Sequence, residues 1–351
     1  MASTSTKIGS LTLKNPVIAA PGEHLIPEAG IRAAIEAGAG AVVGKSTNES
    51  DAAKDQLSRA EYVALDTRWR PVDWGPQAPE GAMLLSRSGL TPHPFEDWLE
   101  MSLRMRALAR EHDCLYVPSL ILAAEEPACA LARRIAAAGF EVLEFNIGTP
   151  YASQAAKGAV STVLDPERIG RLTRMMTATV DIPVWIKITG QSERVPDLAA
   201  AAFENGAESV VMAGRALGML PDLETQAPVL STSCGFGGFW NLPLTCHWLA
   251  SSRALLGDGP ALIGINGATD GEDVLRMVLA GASAVGMSSE VMLRGFDVLR
   301  DAVERVASYC AAHDTDLSEL VGRAADRRKR FADMPQLDEN WRRYIPGASN
   351  G

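Results

Sequence analysis

Ile263-Gly264-Ile265-Asn266-Gly267-Ala268 and Val285-Gly286-Met287-Ser288-Ser289 decide how this chain is read. Each holds a short apolar run of strand character that breaks into small residues and leads to a helix-like stretch. Two consecutive turns of this kind are what a (β/α)8 barrel uses to hold a phosphate group after its last two strands. Backbone N–H groups at turns and helix starts point at an anion, and residues without bulky side chains let it approach. A phosphorylated cofactor is the expected ligand.

Working outward, strand-like runs alternate with helix-like runs almost from end to end. The strand candidates are residues 16–20, 41–45, 115–120, 142–147, 184–188, 209–213, 261–265 and 284–288. Between them lie Ala- and Leu-rich segments of helical period, such as 127–138, 166–179, 195–205 and 271–279. Apolar strands separated by helices imply a parallel sheet covered on its outside. Eight such units imply an α/β fold closed into a (β/α)8 TIM barrel. A ninth strand-like run, 82–86, falls in a long segment at 48–110, read as an insertion over the C-terminal mouth. Its content (Trp69, Pro71, Trp74, Gly75, Pro76, Pro79) suggests an ordered loop. A second insertion is read at 214–245. The expected organisation is one domain over 1–331 and a tail over 332–351.

Composition narrows the function. The net charge is −10, from 33 basic and 43 acidic residues, which argues against nucleic acid or an anionic membrane as the main partner. Cys114, Cys129, Cys234, Cys246 and Cys310 form no C-x-x-C pair, so neither an iron–sulfur cluster nor a metal site is expected. A reducing cytoplasm suits such thiols. No apolar run reaches membrane-span length without charges.

Strand ends at the C-terminal face of a barrel carry its chemistry. Here they read Ala20-Pro21-Gly22-Glu23-His24, Gly44-Lys45-Ser46-Thr47, Asn146-Ile147-Gly148-Thr149-Pro150-Tyr151, Lys187, and Ala213-Gly214-Arg215. Lysine at the end of an apolar parallel strand is costly unless it meets an anion or an acceptor. Lys45 and Lys187 are therefore candidates for the site, the bland reading being a lysine that reaches the rim or pairs with a buried acid.

These motifs, in this order, resemble the FMN barrel of the dihydroorotate dehydrogenase family, including the related catalytic domain of dihydropyrimidine dehydrogenase. The resemblance spans roughly 7–305. It rests on Asn15-Pro16 with Ala20-Pro21-Gly22, on Gly44-Lys45-Ser46, on Phe145-Asn146-Ile147-Gly148-Thr149-Pro150 and on Trp185-Ile186-Lys187. Gly235-Phe236-Gly237-Gly238, Asn266-Gly267 and Ser288-Ser289 complete it. It implies an FMN-dependent oxidoreductase acting on CH–CH or C–N bonds, with hydride transfer between flavin N5 and a small polar substrate. Ala20, Gly22, Lys45 and Ser46 would line the flavin. Lys187 would donate to its N1–C2=O side, and Asn146 would contact flavin or substrate. Gly238, Asn266, Gly267, Ser288 and Ser289 would hold the phosphate. The resemblance also implies a homodimer. With no cluster cysteines and no N-terminal apolar helices, the electron acceptor is expected to be soluble or a separate electron-transfer partner.

Departures from the family pattern concern the substrate. The acid/base position before the proline, Cys or Ser in the family, is Thr149. Tyr151, Ser86 and the Ala213-Gly214-Arg215 site stand where substrate-gripping Asn residues are usual. An orotate-type ring without those amides would bury unpaired polar groups. The expectation is a relative that keeps the flavin and takes a different substrate. Tyr151 would supply a phenol or a pocket wall, Ser86 would line the substrate, and Arg215 would bind a substrate carboxylate or pair on the surface. Two other readings stay open on sequence alone. One is a flavin-free phosphate-binding aldolase or isomerase barrel; the other is a flavin-binding pseudoenzyme or accessory subunit.

Overall fold

The structure, a computed structural model, describes residues 2–148, 165–212, 214 and 216–346. Eight parallel strands carry the fold: β1 (Val17–Ala19), β2 (Ala41–Val43), β3 (Leu115–Val117 continued by Ser119–Ile121), β4 (Leu143–Asn146), β5 (Val184–Lys187), β6 (Ser209–Met212), β7 (Ala261–Ile265) and β8 (Ala282–Met287). Each is followed by a helix on the outside: α1 (Glu28–Glu36), α2 (Phe95–Glu111), α3 (Glu125–Ala137), α4 (Pro166–Thr177), α5 (Val195–Glu204), α6 (Leu242–Leu256), α7 (Gly271–Leu279) and α8 (Asp297–Ala312). This is the TIM barrel that the alternation implied.

Closure runs through β3. Its first piece pairs with β2 and its second with β4, so the two edges of the sheet belong to one strand. The break falls at Pro118, which has no N–H to give a ladder. The Pro118 carbonyl instead accepts from the Glu144 amide at 3.0 Å.

Alternate residues point inward and outward, as strand geometry requires. Val117, Val142, Trp185, Val211, Ile263 and Ala284 fill the barrel, and the N-terminal hairpin Thr6–Ile8/Leu11–Leu13 adds Ile8 and Leu13 to that cluster. The hairpin is tied to the strands' N-terminal ends: the Thr6 hydroxyl donates to the Ser283 carbonyl at 2.7 Å. Outward residues such as Phe145, Ile186 and Val210 pack with the helices in the larger core.

In the 48–110 segment the strand-like run at 82–86 is a strand, but the stretch read as an ordered loop holds further strands. The segment contains strands Glu61–Leu65, Pro71–Val72 and Met83–Arg87, and from Phe95 it is already α2. Likewise 214–245 runs into α6 at Leu242. Strands Ala216–Gly218 and Cys234–Gly237 from this second segment join those of the first in one antiparallel five-stranded sheet. Pairing spares each insertion an exposed edge, a condition that a single short hairpin cannot meet. Among its described residues the tail has short 3-10 turns at Phe331–Asp333 and Asn340–Tyr344, and Phe331, Leu337 and Tyr344 are exposed.

Candidate active site

The pocket opens between the C-terminal strand ends and the antiparallel sheet. Ala20, Gly22, Lys45, Ser46, Ser86, Asn146, Lys187, Gly238, Asn266, Gly267, Ser288 and Ser289 all line it. These residues come from eight separate stretches of chain. Thr149, Tyr151, Ala213 and Arg215 lie outside the described residues.

Its floor is a buried polar chain that the strand register creates. Asn146 stands opposite Lys187, and Glu144, two residues earlier, shares the inward face of β4 with Asn146. Glu144 is 1% exposed, and its Oε2 lies 3.6 Å from Lys187 Nζ. Ser119 Oγ donates to Glu144 Oε1 at 2.8 Å. Ser119 and Ser46 are also 2.8 Å apart. A hydroxyl has one proton. Ser119 gives its proton to Glu144, so Ser46 donates to Ser119. Ser46 then faces its surroundings with lone pairs, as an acceptor. Sequence reasoning singled out Lys187 and Ser46 but not Glu144 or Ser119. The available signal was a charged residue inside the apolar run Leu143-Glu144-Phe145, the same signal that drew attention to Lys187.

A second charged cluster sits toward the mouth. Lys45 Nζ lies 3.2 Å from Glu23 Oε1, and the Gly89 amide donates to the same oxygen at 3.1 Å. The Tyr62 hydroxyl donates to Glu23 Oε2. Burial raises this carboxyl, but Lys45, the Tyr62 hydroxyl and the Gly89 amide outweigh it and hold it below the usual carboxylate range. The backbone of Lys45 is anchored by Trp98, whose indole N–H donates to the Lys45 carbonyl at 3.2 Å. His24, next in sequence to Glu23, does not line the pocket. Its ring packs 5.8 Å from that of Phe296, and burial, with Lys45 nearby, pushes its imidazole down to about 3. It is neutral near pH 7.

The turns after β7 and β8 form the other end. Asn266 has a positive φ of 71°, and its buried Nδ2 has no hydrogen-bond partner among the described residues. Asp270 already caps α7, accepting from the amides of Glu272 and Asp273 at 2.8 and 2.9 Å. An anion here therefore meets the turn at 266–268 rather than the helix end. Gly267 has φ 122°, and a Cβ on it would lie 2.6 Å from the Leu242 backbone nitrogen. A Cβ on Gly286 would lie 2.7 Å from Ile265 Cγ2. Beside this turn, Glu290 pairs with Arg294, which also donates to the carbonyls of Pro76 and Ala78 and so ties the first insertion to β8. The orphan amide, the turn and the absent side chains fit a phosphate-bearing ligand.

Gly267→Ala tests the turn. The methyl meets backbone, not a movable side chain, and the φ disfavours any Cβ. The expected loss of stability exceeds about 1 kcal/mol in urea unfolding of the flavin-free protein. Affinity for the phosphorylated cofactor expected from the sequence should fall as well. An unchanged dissociation constant for that cofactor would place the phosphate elsewhere.

Residues 78–309 match the family described as Dihydroorotate dehydrogenase. The catalytic subunit of dihydroorotate dehydrogenase B (NAD(+)) from Methanocaldococcus jannaschii is 26% identical, over 91% of this chain and 97% of its own. The corresponding subunit from Methanocella arvoryzae is 28% identical, over 90% and 96%. Dihydroorotate dehydrogenase A (fumarate) from Lactobacillus helveticus is 26% identical, over 82% and 88%. Among solved structures, the enzyme from Eimeria tenella in complex with ferulenol superposes with a TM-score of 0.68 at 16% identity, covering 93% of this chain and 89% of that one, a likeness of fold.

Proposed function

Because this chain belongs to the dihydroorotate dehydrogenase family, we propose that it is an FMN-dependent oxidoreductase that oxidises or reduces a CH–CH or C–N bond of a small polar substrate. The observation that supports the cofactor is the turn at 266–268 with its unpartnered Asn266 amide, in a pocket that Lys187 also lines. Bound FMN supplies an acceptor or donor of hydride at N5.

The chain's own residues do the rest. Asn266, Gly267, Ser288, Ser289 and Gly238 hold the phosphate, largely through backbone amides. Ala20 and Gly22 leave room for the flat ring. Lys187, held by Glu144, places positive charge beside the N1–C2=O edge. Ser46 offers an acceptor and Lys45 a donor on the floor and wall. Asn146 faces flavin and substrate, and Ser86 lies on the substrate wall. By the family resemblance, Thr149 is the residue that relays the substrate proton, and Tyr151 and Arg215 are the residues that meet the substrate; all three lie outside the described residues. Family membership sets aside the flavin-free aldolase or isomerase reading.

Among the described residues no helix is long and apolar enough to cross a membrane. We place the protein in the cytoplasm as a homodimer. The two archaeal relatives are named as catalytic subunits. This supports a separate electron-transfer partner here as well, since the described residues hold no group of His, Cys, Asp or Glu that could carry a metal relay.

Mass spectrometry of the cofactor released on denaturation tests this reading. FMN is the expected result. FAD, or no flavin after reconstitution, would overturn it.

A further inference from the structure

Within the same pocket, the Glu23–Lys45 pair bears on the substrate's charge, on the premise that FMN occupies the phosphate end. Among the described residues, Lys45 and Lys187 are the lysines that line the pocket, and each faces a carboxylate: Glu23 at 3.2 Å and Glu144 at 3.6 Å. Glu23 is not a passing surface partner. Tyr62 from the inserted sheet, the Gly89 amide and Lys45 all converge on it, and Glu23 and Tyr62 themselves line the pocket. An acidic substrate approaching Lys45 would meet a cation that is already neutralised and a fixed negative charge beside it. Like charges brought together in a partly desolvated site are strongly disfavoured. The pair presents something else: an ammonium donor and a carboxylate acceptor side by side, the complement of a neutral C=O/N–H edge.

We propose that Glu23 is a specificity-determining residue that turns the Lys45 end of the pocket into a seat for a neutral cyclic amide and rejects a ring bearing a carboxylate. This deepens the functional reading above, since it names the substrate class of the same site.

Uracil and orotate differ by the carboxylate alone, so they are the probes. Equilibrium dialysis against the FMN-loaded protein should find uracil bound at least about tenfold more tightly than orotate. Glu23→Gln keeps an oxygen for the Gly89 amide, turns an NH2 toward the Tyr62 oxygen, which can accept from it, and removes the charge. In that variant orotate should bind about tenfold or more tighter than in the parent, with uracil changed only about two- to threefold. Orotate binding the parent as tightly as uracil does would overturn the proposal, and that comparison needs no variant. Orotate gaining nothing in a folded, flavin-loaded Glu23→Gln protein would also overturn it and leave Glu23 as a clamp on Tyr62 and Gly89. Flavin content is read separately from visible absorbance. A protein that takes up no FMN refutes the cofactor reading, whereas a flavin-loaded protein that prefers orotate refutes only this inference.

Discussion

Lys187→Met should lower the reduction potential of the bound flavin, and Glu144→Gln should raise it. Reduction places negative charge on the N1–C2=O side of the ring, and a neighbouring cation stabilises that state more than the oxidised one. Removing the cation makes reduction harder. Removing the opposing carboxylate, 3.6 Å from Lys187 Nζ, leaves the cation less compensated and makes reduction easier. A hydrogen bond to a charged group is worth about 1.5–3 kcal/mol. For a two-electron couple this corresponds to a fall of roughly 30–60 mV for Lys187→Met if all of it is differential. The shift for Glu144→Gln should be smaller, because the amide still accepts from Ser119. Potentials measured against a reference dye check both signs. If neither variant moves the potential, Lys187 does not face the flavin ring. Stability gives a second reading of the same pair. Glu144→Ala strands a buried ammonium, and breaking a buried pair from one side costs about 3–5 kcal/mol. The double change Glu144→Leu with Lys187→Met should recover much of that loss.

Thr149→Val should slow flavin reduction about 100-fold or more, the scale on which a positioned acid or base acts. Thr149→Ser should keep most of the rate. Valine has nearly the shape of threonine, so packing is preserved and the hydroxyl alone is removed. The measurement is anaerobic stopped-flow bleaching of the flavin, using whichever dihydropyrimidine reduces the parent fastest. The loss should fall on the limiting rate rather than on the half-saturating concentration, since a proton relay acts in the step and not in binding. A Thr149→Val protein as fast as the parent would move the relay to another group. His24 is a poor successor, because its ring is buried against Phe296 and away from the pocket lining. Tyr151 would be the next residue to change.

The chain's local patterns determined much of this protein. Apolar strand runs, helical periodicity and small-residue turns are properties of neighbouring residues, so the eight barrel units and the turns after β7 and β8 were legible in the sequence. So were Lys45 and Lys187, because a charge ending an apolar strand is conspicuous wherever it is folded. In the 48–110 segment the run at 82–86 was legible as a strand, but the other strands and all the pairing were not, for the complementary reason. Its strands are short, and strand Met83–Arg87 finds its partners in strands Glu61–Leu65 and Cys234–Gly237, the second of them far along the chain. Only tertiary structure decided what the two lysines face. Glu23 meets Tyr62 across 39 positions, Ser46 meets Ser119 across 73 and Ser119 meets Glu144 across 25. Those partners are set by barrel register and by how the two insertions pair. A strand shifted by one residue would turn Glu144 and Asn146 outward and bring Phe145 into the barrel. Long-range pairing of that kind leaves no periodic trace in sequence, and in this protein it sets the charge of the pocket.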